Sequence, residues 1–335
     1  MMRRDEIASA AEKVLEERRM SADVKKEMMM REIALRAPGF ESVEKEITDA
    51  GLSLVKMALK KATASPEYGM KLRELEELGL KRAAMLRENG FDETFPDCCH
   101  SCAKCLDKGY YEDENGSQKV CGCFGEICRE IVLRESGIPV KKGFEAFDIN
   151  VFDEKDRGLM SANFREAQRF AEDLEEEKNL FMYGQAGSGK TFLASLTATE
   201  IVRKGWFAVY ISAPLLMQTL LYYGEDERAA DRKNKLYEIV HNADLVVLDE
   251  LGTEKLTDSR QDMLAGIIDD IVCDGRRKCI VISNLTLKEI RNTYGERLFS
   301  ILLRDNCRKQ SNSVLFGTIR CRPRTCLLQL SVLLS

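Results

Sequence analysis

Gly184-Gln185-Ala186-Gly187-Ser188-Gly189-Lys190-Thr191 matches the full pattern G-x-x-x-x-G-K-[ST]. Its glycines let backbone N–H groups turn inward around phosphate oxygens, where side chains would obstruct them. A helix beginning at its end adds the partial positive charge of its N-terminus. Lys190 would neutralise the β- and γ-phosphates of a nucleoside triphosphate, and Thr191 would ligate Mg²⁺. The phosphate-binding set is therefore Gly184, Gln185, Ala186, Gly187, Ser188, Gly189, Lys190 and Thr191. The loop follows the strand-like run NLFMYG and precedes a helix-length segment, the context this chemistry requires.

Outward from the loop, the texture is alternating α/β. Further strand-like runs are FAVYIS (207–212), DLVVLDE (244–250) and KCIVISN (278–284), and a helix is expected over 161–177. Short, nearly continuous apolar strands separated by helices indicate a parallel sheet covered on both faces. Ligands bind beyond the carboxyl ends of such strands. Asp249 emerges there and would hold Mg²⁺ through water, while Glu250 would polarise an attacking water. Asn284 ends the next strand and would orient that water between the acidic strand ends and the γ-phosphate.

Upstream, residues 1–37 read as a helix whose buried stripe is Ile7, Ala10, Ala11, Val14 and Leu15, broken at Pro38-Gly39. Two further amphipathic stretches cover 43–62 and 67–89. The run Met28–Met30 reads as helix packing in preference to a partner surface. Seven of the twelve cysteines lie between 98 and 128. Cys102-x₂-Cys105-x₁₅-Cys121-x-Cys123 places two close pairs either side of a hairpin-like segment containing Asn115-Gly116. Four thiolates so spaced suit a closed, tetrahedral structural Zn²⁺ site. Cys98, Cys99, His100 and Cys128 compete for a place in that set. Residues 129–160 read as a short helix followed by an irregular connection.

Composition removes several classes. The formal net charge is −5 over 335 residues, which argues against a surface coated for gripping nucleic acid. No apolar run reaches the ~18 residues of a membrane helix. The N-terminus lacks the apolar core of a secretory signal, so a cytoplasmic, reducing setting is expected and clustered cysteines read as metal ligands.

The runs NLFMYGQAGSGKT, VVLDELG, VISN and GERLFS, with Cys102-x-x-Cys105-x-x-x-Gly109-Tyr110 and Cys121-x-Cys123 upstream, resemble the DnaC/DnaI/IstB group of AAA+ ATPases. The resemblance implies an AAA+ P-loop NTPase fold, with a parallel sheet flanked by helices, preceded by a helical region and a small zinc module. It divides the chain into a helicase-interacting helical region (1–95), a zinc module (96–130), a linker (131–155), an ATPase domain (156–307) and an atypical tail (308–335). It implies ATP, Mg²⁺ and Zn²⁺ as cofactors. The partners implied are a hexameric replicative DNA helicase and single-stranded DNA, with ATP-dependent self-assembly and no membrane. Arg228, Arg232, Lys233 and Lys235 form a candidate DNA-contacting stretch; a solvated helix face explains them equally. A transposition helper ATPase and a nucleotide-binding switch with negligible hydrolysis are the alternative functions. Arg297 matches the first arginine of the family's R-x-x-x-R pattern, but Ile301 stands where the second would reach a neighbouring subunit's nucleotide. Arg304, one turn further on, is the substitute candidate. The tail departs from the family's usual closing strand, as it would if it came from a shifted reading frame.

Overall fold

Apolar residues spaced three and four apart wind the first ninety residues into three helices, α1 (Arg4–Arg36), α2 (Phe40–Leu59) and α3 (Pro66–Glu88). The computed structural model describes residues 1–60, 65–175, 179–220, 227–253, 258–273, 277–304 and 314–315. The chain divides into two compact units, Met1–Ala10 with Glu126–Ser335, and Ala11–Gly125.

In the smaller unit, α1 stops at Pro38, and Gly39 adopts the left-handed φ of 89° needed to start α2 at once. Ser65 caps α3 by accepting from the Tyr68 N–H. Ala22, Ile33, Ala37, Phe40, Leu86, Phe95 and Cys99 form an apolar core, against which Met29 and Met30 pack. Met28 is two-thirds exposed and continues an outer stripe of Met20 and Val24. The methionine run thus serves core and surface at once. The hairpin expected around Asn115-Gly116 is present as β1 (Tyr110–Glu112) paired antiparallel with β2 (Gln118–Val120).

α4 (Gly122–Glu135) begins earlier than the helix expected from 129. In the larger unit α5 (Glu154–Glu172) also begins and ends before the expected 161–177. Its buried residues Met160, Asn163, Ala167, Phe170 and Ala171 keep one helical stripe. The helix ends where Asp173 leaves helical geometry at φ −134° and ψ 77°. Between α4 and α5, the segment expected as a linker is pinned to its own unit. The Thr199 hydroxyl donates to the Val140 carbonyl at 3.2 Å, and Arg203 donates to Glu145 at 3.0 Å. Arg203 and backbone N–H groups hold the Glu145 carboxyl down to about 2.

The remaining elements alternate: β3 (Leu180–Tyr183), α6 (Lys190–Arg203), β4 (Ala208–Ser212), α7 (Ala213–Leu220), α8 (Glu227–Asn242), β5 (Leu245–Leu251), α9 (Asp258–Cys273), β6 (Lys278–Ser283), α10 (Leu287–Arg304) and β7 (Val314–Leu315). The strands form one parallel sheet in the order β4-β5-β6-β3-β7. β6 therefore inserts between β3 and β5. β7 pairs with the outer side of β3 through Phe181↔Val314 and Met182↔Leu315; the rest of the tail lies outside the described residues. β5 is buried along Leu245–Asp249, as a central strand covered on both faces must be. α6 is buried almost all round, and its Ser195 and Thr197 hydroxyls donate to carbonyls one turn back, at Thr191 and Leu193. Among the described residues, no helix is long and apolar enough to cross a membrane.

Candidate functional site

The turn from β3 into α6 is built on left-handed backbone at Gly184 (φ 138°), Gly187 (79°) and Gly189 (91°), conformations an L side chain would resist. Gln185, Ala186 and Gly187 are exposed at its crest, whereas Ser188 and Lys190 are buried. The Lys190 ammonium donates to the Gly184 and Gln185 carbonyls, each at 2.9 Å, and to Ser188 Oγ at 3.3 Å. Burial lowers its pKa, and the nearby Asp249 charge opposes that shift. The lysine is thus held against the loop's own oxygens, in place to meet phosphate oxygens if they arrive. The Gly184 N–H donates to the Ser283 carbonyl at 3.2 Å, tying the loop to β6.

Three of the expected residues converge beside the loop. Thr191 Oγ1 donates to Asp249 Oδ2 at 3.0 Å, and the Glu250 N–H donates to Asp249 Oδ1 at 2.7 Å. Asp249 is buried; Glu250 is exposed. The β5–β6 register shifts between Leu248 and Leu251, so Asp249 and Glu250 sit at an irregularity where ladder pairing lapses. There Glu250 takes a left-handed φ of 61°. Gly252, at φ 108°, follows with Leu285 so close that an added Cβ would lie 2.6 Å from its Cδ1. Asn284 follows the last residue of β6 and is exposed.

α10 is interrupted at Gly295 (φ 75°, ψ 175°), so Arg297 opens a second helical segment and is exposed. Leu298, Ile301 and Leu302 face the core, Ile301 at 2% exposure. Position 301 thus points inward in this fold, which is why an aliphatic residue suits it. Arg304 lies seven positions after Arg297, about two helical turns on; its side chain lies outside the described residues. Arg228, Arg232, Lys233 and Lys235 lie on α8, and Lys235 is engaged with Glu6 at 2.9 Å.

Two aromatic residues at the site were not legible from motif spacing. The Tyr210 hydroxyl donates to Asp249 Oδ2 at 2.5 Å. The Phe152 ring approaches to 3.5 Å of where a Gly189 side chain would begin, and Phe147 stacks on Phe164 at 4.0 Å behind it. The recurring phenylalanines at 144, 147 and 152 were the available signal, in a stretch otherwise read as a connection.

In the smaller unit the Sγ atoms of Cys102, Cys105, Cys121 and Cys123 lie within 4.8 Å of one another, the one such group among the described residues. Cys102 and Cys121 sulfurs are 3.7 Å apart, and Cys105 and Cys123 sulfurs 3.4 Å. Four bonds of about 2.3 Å in a tetrahedron would separate sulfurs by about 3.8 Å, so the set fits Zn²⁺. Backbone N–H groups of Cys105 and Lys104 lower the Cys102 thiol to about 7, while burial raises Cys105 and Cys123. Left-handed Leu106 and Asp107 turn the chain after the first pair. The fully buried Asp107 carboxylate accepts from the Ser101 and Cys102 N–H groups. Cys98, Cys99, His100 and Cys128 stand outside the four: Cys99 joins the apolar core and His100 lies 3.5 Å from Asp107.

The pattern defining the family described as IstB-like ATP binding protein matches residues 128–324. The chain belongs to that family. The IstB-like segment contains the P-loop, Asp249, Glu250, Asn284 and Arg297, and it starts just after the four-cysteine set. The chain is 25% identical over 122 residues to the replicative helicase loader DnaI of Bacillus subtilis (strain 168), covering 36% of this chain and 38% of that protein. It is 28% identical over 112 residues to the ATP-binding protein of insertion sequence IS1162 from Pseudomonas fluorescens, covering 33% of this chain and 46% of that one. It thus spans less than half the length of either relative. A crystal structure of DnaI superposes with a TM-score of 0.40 at 17% identity, over 58% of this chain and 94% of that chain. This AAA+ P-loop family is an ATP-binding one, and the segment of this IstB-like chain that matches it lies in the larger unit.

Proposed function

We propose that this protein is an ATP-dependent loader of a replicative DNA helicase. In this reading the P-loop from Gly184 to Thr191 cradles the triphosphate, and Lys190 leaves the loop carbonyls for the β- and γ-phosphates. Thr191 and Asp249 hold Mg²⁺, which when bound supplies positive charge at the γ-phosphate. Glu250 takes a proton from the attacking water and Asn284 orients it, giving ADP and phosphate. Arg297, with Arg304, reaches the nucleotide of a neighbouring copy in an ATP-dependent assembly. Cys102, Cys105, Cys121 and Cys123 bind Zn²⁺ and order the segment around them. Residues 1–95 and 96–130 contact the helicase, and single-stranded DNA runs along the ATPase domain (156–307).

The observation that carries the loader reading is one chain holding both a complete P-loop site and, upstream of the family segment, a four-thiolate set. The cysteine arrangement is the feature that resembles DnaI-type loaders, and IstB-type helpers generally lack it. Exposed Met20, Val24 and Met28 on α1 offer the apolar surface a protein partner needs. Co-purification decides it: the full chain with ATP captures the replicative helicase of its host. Capture of a transposase in its place would establish the transposition helper, a reading favoured by the family description and the IS1162 relative. Buried Ile301 favours a third reading, a switch that binds without turnover. DNA-stimulated hydrolysis abolished by Glu250→Gln would exclude it.

A further inference from the structure

The Asp249 carboxylate meets a third group that belongs neither to the P-loop nor to its own strand. β4 pairs with β5 in parallel, Tyr210 opposite Val247 and Ser212 opposite Asp249. Side chains alternate along a strand, so Tyr210 and Asp249 emerge on one face of the sheet, offset by two residues. The tyrosine ring is long enough to cross that offset, and its hydroxyl donates to Asp249 Oδ2, the same oxygen that receives Thr191 Oγ1. With the Glu250 N–H on Oδ1, both carboxylate oxygens are engaged and the group has one orientation.

The strand carrying Tyr210 is itself held. β4 is the sheet's outer strand, yet the Tyr210 N–H donates to the Ser136 carbonyl at 2.8 Å. Gly137, left-handed at φ 80°, lies so close that an added Cβ would stand 2.4 Å from the Tyr210 carbonyl oxygen. The residue is 6% exposed. Burial and the Asp249 charge both raise the phenol's pKa, which keeps it a donor at any working pH.

We propose that Tyr210 is a positioning residue for the metal half of the nucleotide site, acting through Asp249. This rests on the nucleotide-site reading above. When Mg²⁺–nucleotide binds, a lone pair of Thr191 Oγ1 would face the metal while its O–H goes on donating to Asp249. Tyr210 adds a second donor to the same Asp249 oxygen, from the neighbouring strand, and helps hold the carboxylate oriented toward the metal site. A phenylalanine would fill the same space and leave the carboxylate less firmly oriented, with Thr191 and the Glu250 N–H its remaining donors.

The test uses the full chain and a fluorescent, non-hydrolysable ATP analogue, titrated with Mg²⁺ and separately in EDTA. Tyr210→Phe is expected to raise the half-saturating Mg²⁺ about tenfold, the worth of one hydrogen bond to a charged group. Metal-free analogue should bind the variant as it binds the parent, because Lys190 and the loop are untouched. An unchanged or lowered Mg²⁺ requirement would overturn the proposal, as would equal weakening with and without metal, the signature of a general packing defect. If Tyr210→Phe loses its cooperative melting transition, 4-fluorophenylalanine at 210 keeps more of the shape without the donor and gives the same readout. Mg²⁺-dependent binding indifferent to position 210 would sink this inference alone. Failure of the parent chain to bind the analogue, or binding indifferent to Lys190→Ala, would sink the site reading with it.

Discussion

Lys190 is buried with its ammonium group satisfied by three oxygens of its own loop. Replacing it with alanine should leave the fold intact and weaken ATP binding at least about tenfold, since a charged hydrogen-bonding partner of phosphate is lost; equilibrium titration with labelled ATP checks this. Glu250→Gln should separate the steps in the opposite way. Exposed Glu250 makes no part of the lysine's cage, so binding should persist while steady-state hydrolysis falls by about 10²-fold or more. Gly252 is sensitive for a steric reason. An alanine there meets Leu285 and a disfavoured φ together, and should cost about 2 kcal/mol by denaturant titration.

The two cysteine pairs and the strand ends show what sequence spacing can and cannot convey. β1, β2 and the run Cys102–Cys123 were legible because their signals are local: a turn dipeptide, short spacings and soft ligands. The same holds for β3, β5 and β6, whose apolar runs stop at chemically loaded residues. Tyr210 was not legible, because its partner is 39 residues away and meets it only through the pairing of β4 with β5. Asp107 escaped for a similar reason, as one acid among many until its burial and two backbone donors mark it. The start of α5 was obscured by the charged residues 154–157 of its first turn. The position equivalent to the family's second arginine shows the converse. Ile301 reads as a lost function in the motif and as an ordinary core residue in the fold. At this scale the metal prediction is direct. The full chain should carry about one zinc per molecule, and chelation should raise amide exchange across residues 99–125 while strands β3, β5 and β6 keep their protection. Equal loss of protection in both stretches, or none in either, would count against a structural zinc.

For the molecule as a whole, the division of labour is between a smaller unit outside the family segment and a larger one that carries the nucleotide site. Met20, Val24 and Met28 recur every four residues on α1 and are each more than half exposed. An apolar strip of this kind is costly in water and is kept where a partner covers it. Replacing Val24 and Met28 together with glutamate should abolish capture of the proposed helicase partner while ATP binding and the melting temperature stay as they were. Loss of both activities together would show that the strip serves folding instead. The −5 charge accords with the proposed reading, in which the principal grip is on another protein.

Glu250 occupies a backbone conformation that suits glycine or asparagine better than glutamate. Conformational tension is therefore stored at the residue proposed to activate water, and sequence drift released from any selection for turnover has a downhill direction. Glu250→Asn should unfold at a higher temperature than the parent while hydrolysing nothing. A natural relative with asparagine there would then be recognisable as a chain that has exchanged turnover for durability.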